Sequence, residues 1–261
     1  MLIDTHCHLD AAEFDLDRDL VHAAALAAGV ERIVVPSVAV DRFNCVKMTV
    51  ADFSGCVAAY GIHPLCVAQA KESDLVVLHD WLQQEKPAAV GEIGLDFYVA
   101  DQDLVRQEFF FVEQLKLARE FNLPVLLHVR RSVDATLKQL RRFKLPGGIA
   151  HAFNGSRQQA NEFIKLGFKL GFGGSLTYKG STRIRQLASS LPLESIVLET
   201  DAPDMAPVWL PGGRNAPAEL PRIAAALAEL RELSPAAIAE QTTLNARAVF
   251  AKIDLGQQDT H

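Results

Sequence analysis

Seven side chains in this chain could ligate a metal, and each falls at or near the end of an apolar run: His6, His8, His63, Glu92, His128, His151 and Asp201. The first two stand in residues 2–10, Leu-Ile-Asp-Thr-His-Cys-His-Leu-Asp. The opening residues suit a short strand, in which positions two apart share a face. His6 and His8 are then expected on one side with Asp4 a layer behind, and Cys7 on the other. Two imidazoles so placed can grip one divalent ion, but they need further ligands.

The remaining candidates supply them only if distant segments converge. Residues 32–37, 56–63, 88–95, 124–129, 148–153, 168–173 and 196–201 read as further apolar strands. His63, Glu92, His128, His151 and Asp201 fall at the ends of the third, fourth, fifth, sixth and eighth strands in order. Five histidines and two carboxylates at one rim would be costly to bury unpaired. Their number exceeds the needs of one tetrahedral ion, so two ions sharing a bridging carboxylate are expected, and Glu92 is that carboxylate. His22, His79 and His261 lie elsewhere and read as structural or solvated.

Helical stretches separate the strands, over 16–28, 41–53, 73–82, 103–121, 133–143, 156–166 and 182–191, and two more follow at 219–230 and 235–250. Gly29 stops the first, Ser73 and Ser156 open later ones, and Leu75, Leu78 and Leu82 mark one apolar face. Continuous apolar strands alternating with helices imply a parallel sheet covered on both faces. Eight such units in about 250 residues predict a (β/α)8 TIM-like barrel with an extra C-terminal helix, and a doubly wound open sheet is the second choice. In a barrel the strand ends carrying these residues form the chemical face. No composition shift divides residues 1–261, so a single domain is expected, with a polar, frayed tail after Ile253.

Bulk properties narrow the classes. The 261 residues are 49% hydrophobic, with a net charge of −6. That balance excludes a broad basic nucleic-acid-binding surface and leaves room for a local one. Cysteines at 7, 45, 56 and 66 have no paired spacing and read as reduced thiols of a cytoplasmic protein. The chain is expected to open on a strand with no signal peptide, and no apolar run is long enough for a membrane helix. A monomer is expected.

The motifs resemble, in order and along the full chain, those of the TatD family of metal-dependent deoxyribonucleases, within the amidohydrolase-like barrels. They are Asp4-Thr-His-Cys-His8, Gly61-Ile-His-Pro64, Gly91-Glu-Ile-Gly-Leu-Asp96, Leu127-His-Val-Arg130, His151-Ala-Phe-Asn-Gly155, Glu199-Thr-Asp-Ala-Pro203 and Arg214-Asn-Ala-Pro217. The resemblance implies His6, His8, Glu92 and Asp201 around one ion, Glu92, His128 and His151 around a second, and His63 beside the substrate phosphate. It implies zinc, or magnesium or manganese in the cell, and a phosphate-ester or nucleic-acid substrate bound locally at the rim. Ala216, Asn154 and Gly171 depart from the family's usual Glu, small hydroxyl and Ser, which puts substrate choice in question.

The expected reaction is hydrolysis of an ester, phosphodiesters first, by a metal-activated bridging water with Asp201 as proton acceptor and His63 as the second catalytic group. A hydrolase of small amides or lactones is the alternative, disfavoured because such relatives often bridge the metals with a modified lysine where this chain has Glu92. A non-catalytic zinc-binding protein is the other. Arg130, Arg131, Arg157, Lys179 and Arg214 are expected on the active rim. Phe97, Tyr98, Phe153, Tyr178 and Trp209 would stack on bases or roof the pocket.

Overall fold

The computed structural model describes residues 1–250. Eight parallel strands follow in chain order around the sheet: β1 (Leu2–Asp4), β2 (Val30–Pro36), β3 (Cys56–Tyr60), β4 (Ala89–Asp96), β5 (Val125–Arg130), β6 (Gly148–Ala150), β7 (Phe168–Phe172) and β8 (Ile196–Leu198). The last edge meets the first through Thr5, whose backbone N–H donates to the Leu198 carbonyl at 3.1 Å and whose hydroxyl donates to the same oxygen at 3.0 Å. The nearly closed barrel expected from the sequence is therefore present, and the open sheet is not.

Helices α1 (Arg18–Ala27), α2 (Phe43–Asp52), α3 (Asp74–Glu85), α4 (Leu104–Glu120), α5 (Val133–Leu140), α6 (Arg157–Lys165), α7 (Thr182–Ser190) and α8 (Leu220–Arg231) follow the strands in turn, and α9 (Pro235–Val249) is the additional one. The apolar runs are continuous because alternate residues serve two cores. Ile3, Val34, Ala59, Leu126, Ile149 and Val197 pack together with Ala246 and Phe250, so α9 and the residue after it join the inner cluster. Their strand neighbours Ile33, Val35, Val125, Leu127, Ile196 and Leu198 face the helix layer.

Three boundaries matter for function. β1 ends at Asp4, so His6 and His8 lie on the loop beyond the strand rather than within it. Glu92 lies inside β4, which continues to Asp96, and does not end it. Val90, Ile93 and Leu95 all face the helix layer, and the register shifts between Val90 and Ile93. That irregularity breaks the strand alternation and turns Glu92 inward with Asp96 two pairs later. The first helix begins at Arg18, because residues 12–14 form a separate 3₁₀ turn, and Leu16 is exposed. The tail after Ile253 and His261 lie outside the described residues. No helix among the described residues is long and apolar enough to cross a membrane.

Candidate metal centre

Glu92, 2% exposed, is the hub where the predicted residues meet. Its Oε2 lies 3.2 Å from His6 Nε2 and 3.6 Å from His8 Nε2. Its Oε1 lies 2.9 Å from His128 Nδ1, 3.6 Å from His63 Nε2 and 4.0 Å from His151 Nε2. Asp201 completes the ring: Oδ1 is 3.7 Å from His6 Nε2 and 3.8 Å from His8 Nε2, and Oδ2 is 3.7 Å from His151 Nε2. All seven candidates thus converge, although they come from six different strand ends or loops.

The far nitrogen of each ring decides what the near one offers. His8 Nδ1 sits 3.2 Å from the Pro36 carbonyl, and His151 Nδ1 sits 3.1 Å from Glu199 Oε1. His128 Nε2 is 2.9 Å from Asp96 Oδ2. An oxygen there holds a proton on the far nitrogen and leaves a lone pair on the nitrogen that faces Glu92 or Asp201, as ligation requires. His63 is arranged the opposite way. Its Nδ1 accepts from the Leu65 N–H at 3.1 Å, so the neutral ring carries its proton on Nε2, toward the site. His63, Glu92 and His128 do offer atoms within 4.8 Å of one another. A protonated Nε2 nevertheless makes His63 a donor rather than a ligand.

Electrostatics favour cations here. Burial pushes the carboxyl of Glu92 up, but the field of His6 and hydrogen bonds from His128 and His6 outweigh it and hold Glu92 well below the usual carboxylate range. Burial opposes charge on His8 and His151 as well. The Glu92 carboxylate nonetheless raises His8 to about 9, and Asp201 with Glu199 raises His151 to about 10. A negative local field holds the second proton on these buried imidazoles, and a divalent cation would satisfy that field in its place and free the lone pair that faces it. His63 is pushed down to about 3, chiefly by burial, and stays neutral. His6 Nδ1 has no hydrogen-bond partner among the described residues, and His6 stacks on His151 with ring centroids 3.9 Å apart. Nitrogen and carboxylate donors in this set fit divalent ions of the zinc, manganese or magnesium type.

Two carboxylates in the site carry roles that the sequence reading did not assign. Asp96 accepts from the backbone N–H groups of Tyr98 and Val99 at 2.8 and 3.1 Å while facing His128. Glu199 accepts from the Ala152 N–H at 2.6 Å while facing His151. Both stand at an even spacing from a candidate ligand in the sequence, Glu199 two positions before Asp201 and Asp96 four after Glu92, which is the signal that would have found them. Gly171 also gains a reason: a Cβ there would lie 2.1 Å from Glu199 Oε2, so the carboxylate fills the space a serine would need.

Above the ring opens a cleft of about 1510 Å³. Of the five cations expected on the rim, Arg130 and Arg131 line it and the other three do not. Arg214 pairs with Asp17 at 2.6 Å, Arg157 donates to Ser190 Oγ at 2.5 Å, and exposed Lys179 lies outside the lining. Arg42 and Arg183, not singled out from sequence, take their place. Phe97 and Tyr98 line the cleft, whereas Phe153 is buried against Phe163 and Trp209 donates to Glu219 Oε2 at 2.7 Å. Asn154 lines the cleft, and Ala216 is half-buried outside the lining.

Residues 3–251 match the model of the TatD-related DNase family. The chain is 39% identical over 251 residues to an uncharacterised metal-dependent hydrolase, YjjV, of Escherichia coli, covering 95% of this chain and 97% of the relative. The crystal structure of that TatD homologue superposes with a TM-score of 0.93, over 96% of this chain and 98% of the other. A 3'-5' ssDNA/RNA exonuclease, TatD, of Klebsiella pneumoniae is 32% identical over 256 residues, with 95% and 97% of the two chains covered.

Proposed function

Since the chain belongs to the TatD-related DNase family of metal-dependent hydrolases, we propose that it hydrolyses phosphodiesters of nucleic-acid strands at a centre of two divalent ions sharing Glu92. His6, His8, Glu92 and Asp201 would hold one ion, and Glu92, His128 and His151 the other. Zinc is the first choice and magnesium or manganese the alternatives in the cell. The observation that carries this reading is the placement of Glu92, whose two oxygens face two separate sets of imidazoles. Bound ions would lower the pKa of water at the site and offset charge building on the phosphoryl oxygens.

The chain's own residues do the rest. Asp201 takes the proton of the attacking water, since its carboxylate faces the ring from the rim. His63 donates its Nε2–H to a phosphoryl oxygen, a role that its neutral ring and backbone-fixed tautomer suit. Asp96 and Glu199 fix the rings of His128 and His151. Cys7, Cys45, Cys56 and Cys66 are free thiols, in keeping with action in the cytosol. The substrate class draws on the Klebsiella relative's name and on the cations that line the cleft.

Asp201→Asn tests the mechanism. The amide can still coordinate through oxygen but is a far weaker base. With metal in excess, single-turnover hydrolysis of a phosphodiester should fall roughly 10²-fold or more while substrate binding stays near normal. Turnover near wild type would remove Asp201 from proton transfer.

A further inference from the structure

The cations of the cleft are divided by what neutralises them. On the β8/β1 side, Arg42 is pinned by Asp10, with its Nη2 3.3 Å from the carboxylate and 2.8 Å from the carbonyl of that residue. Arg214, nearby in the loop after β8, pairs with Asp17. The same side of the cleft carries the carboxylates of Glu13 and Asp204. On the β5/β7 side, Arg130 ends β5, Arg131 follows it and Arg183 stands on α7. Among the described residues none of these three makes an ion pair, and all are exposed where they line the cleft. Two acids stand near them and both are engaged elsewhere: Asp134 accepts from the Gln159 amide at 2.8 Å, and buried Asp96, the register partner of Arg130, faces His128 at 2.9 Å. Tyr98 organises two of the three: the guanidinium carbons of Arg130 and Arg131 lie 3.8 and 4.6 Å from its ring centroid. A ring so engaged presents planar cations to the cleft and is not free to stack on a base.

We infer that Arg130, Arg131 and Arg183, with Tyr98 as a positioning residue, form a second phosphate-binding wall that takes the part of a single strand beyond the scissile phosphodiester. This rests on the proposed phosphodiesterase function and gives it a direction. The strand runs from the metal centre toward β5 and β7, and the carboxylates of Glu13 and Asp204, which make no ion pair among the described residues, repel phosphates on the opposite side. The cleft volume agrees, since about 1510 Å³ exceeds the roughly 300–1,000 Å³ of a drug-sized ligand site. Guanidinium groups without a protein carboxylate suit a polyanion, because binding then breaks no ion pair.

The experiment measures binding of an end-labelled single-stranded hexanucleotide by fluorescence anisotropy across a salt series, beside hydrolysis of the hexanucleotide and of bis(p-nitrophenyl) phosphate. The proteins are wild type, Arg131→Gln/Arg183→Gln, Tyr98→Leu and Arg157→Gln, all loaded with metal. The double variant should bind the hexanucleotide about tenfold more weakly and lose roughly one to two units of salt slope. Its KM penalty should grow from the single diester to the hexanucleotide. Tyr98→Leu should weaken binding by a smaller factor with the salt slope kept, because both cations remain. Arg157→Gln, which removes a cation outside the cleft, should match wild type. Equal hexanucleotide affinity and salt slope in wild type and the double variant would overturn the wall, whatever the turnover. Failure of the wild type to cleave either substrate would instead sink the proposed function, while the binding arm still decides the wall.

Discussion

On one side of Glu92 the site is built from strands, and on the other from loops. Glu92 and His128 sit within β4 and β5, where His128 is in register with Gly94 and the Glu92 N–H donates to the Ser37 carbonyl at 3.0 Å. His6, His8 and Asp201 have already left β1 and β8. Their loops are tied to each other instead: Asp201 N–H donates to the His6 carbonyl at 2.8 Å and His8 N–H to the Ala202 carbonyl at 2.8 Å. Buried Asp4 braces both, accepting from His6 N–H at 3.3 Å, Thr200 N–H at 2.9 Å and the Thr200 hydroxyl at 2.6 Å. Asp201 also holds the left-handed conformation, φ 56°, and Ala152 beside His151 does the same at φ 45°. Non-glycine residues in that region persist only where surrounding contacts enforce them. The strand half gets its precision from the sheet, and the loop half depends on a few buried polar partners.

The largest effect should follow from the residue common to both halves. Glu92→Ala should abolish activity by about 10³-fold or more, several kcal/mol of transition-state stabilisation, because both halves lose a donor at once. Steady-state hydrolysis of a phosphodiester checks it. If the loss is no greater than for His8→Ala, the halves do not share Glu92.

Next, Asp96 on the strand side and Asp4 on the loop side should separate the halves. Asp96→Ala removes the partner of His128, and Asp4→Asn disturbs the brace beneath His6 and Asp201. Each should weaken divalent-metal affinity by about 10–100-fold at one site and leave the other near its original value. Calorimetric titration with a divalent metal resolves the two sites. Loss of both sites together in either variant would show that the halves are not separately supported.

How legible these halves were differs in the same way. The barrel could be read because each strand serves two apolar cores, which leaves continuous runs such as Ile33-Val34-Val35. His128 and His151 followed from strand ends. Glu92 was found by residue type, but the register shift in β4 that turns it inward leaves no mark in the sequence pattern. The loop half was identified by residue type and was placed one element too early, in a strand longer than the one that forms. Charges were least legible, because their partners are remote: Arg214 meets Asp17 across 197 positions. Phe153 is expected from sequence to stack on bases or roof the pocket, yet it is buried against Phe163, which in turn meets Phe168.

The smallest effect is a packing one. Gly171→Ala would place a methyl 2.1 Å from Glu199 Oε2 and force that carboxylate, or β7, to move. Overpacking of this kind costs about 1–3 kcal/mol, which for a chain of this size lowers Tm by very roughly 2–10 °C. Thermal unfolding checks it, and an unchanged Tm would mean that the carboxylate moves aside without cost.

Metal stoichiometry tests most directly whether Glu92 is shared by two ions. Protein stripped with chelator, reloaded with zinc, desalted and measured by elemental analysis should hold two ions per chain in the wild type. Glu92→Gln, with the fold verified by circular dichroism, should hold at most one. Two ions retained in Glu92→Gln, or one ion in both proteins, would contradict the account.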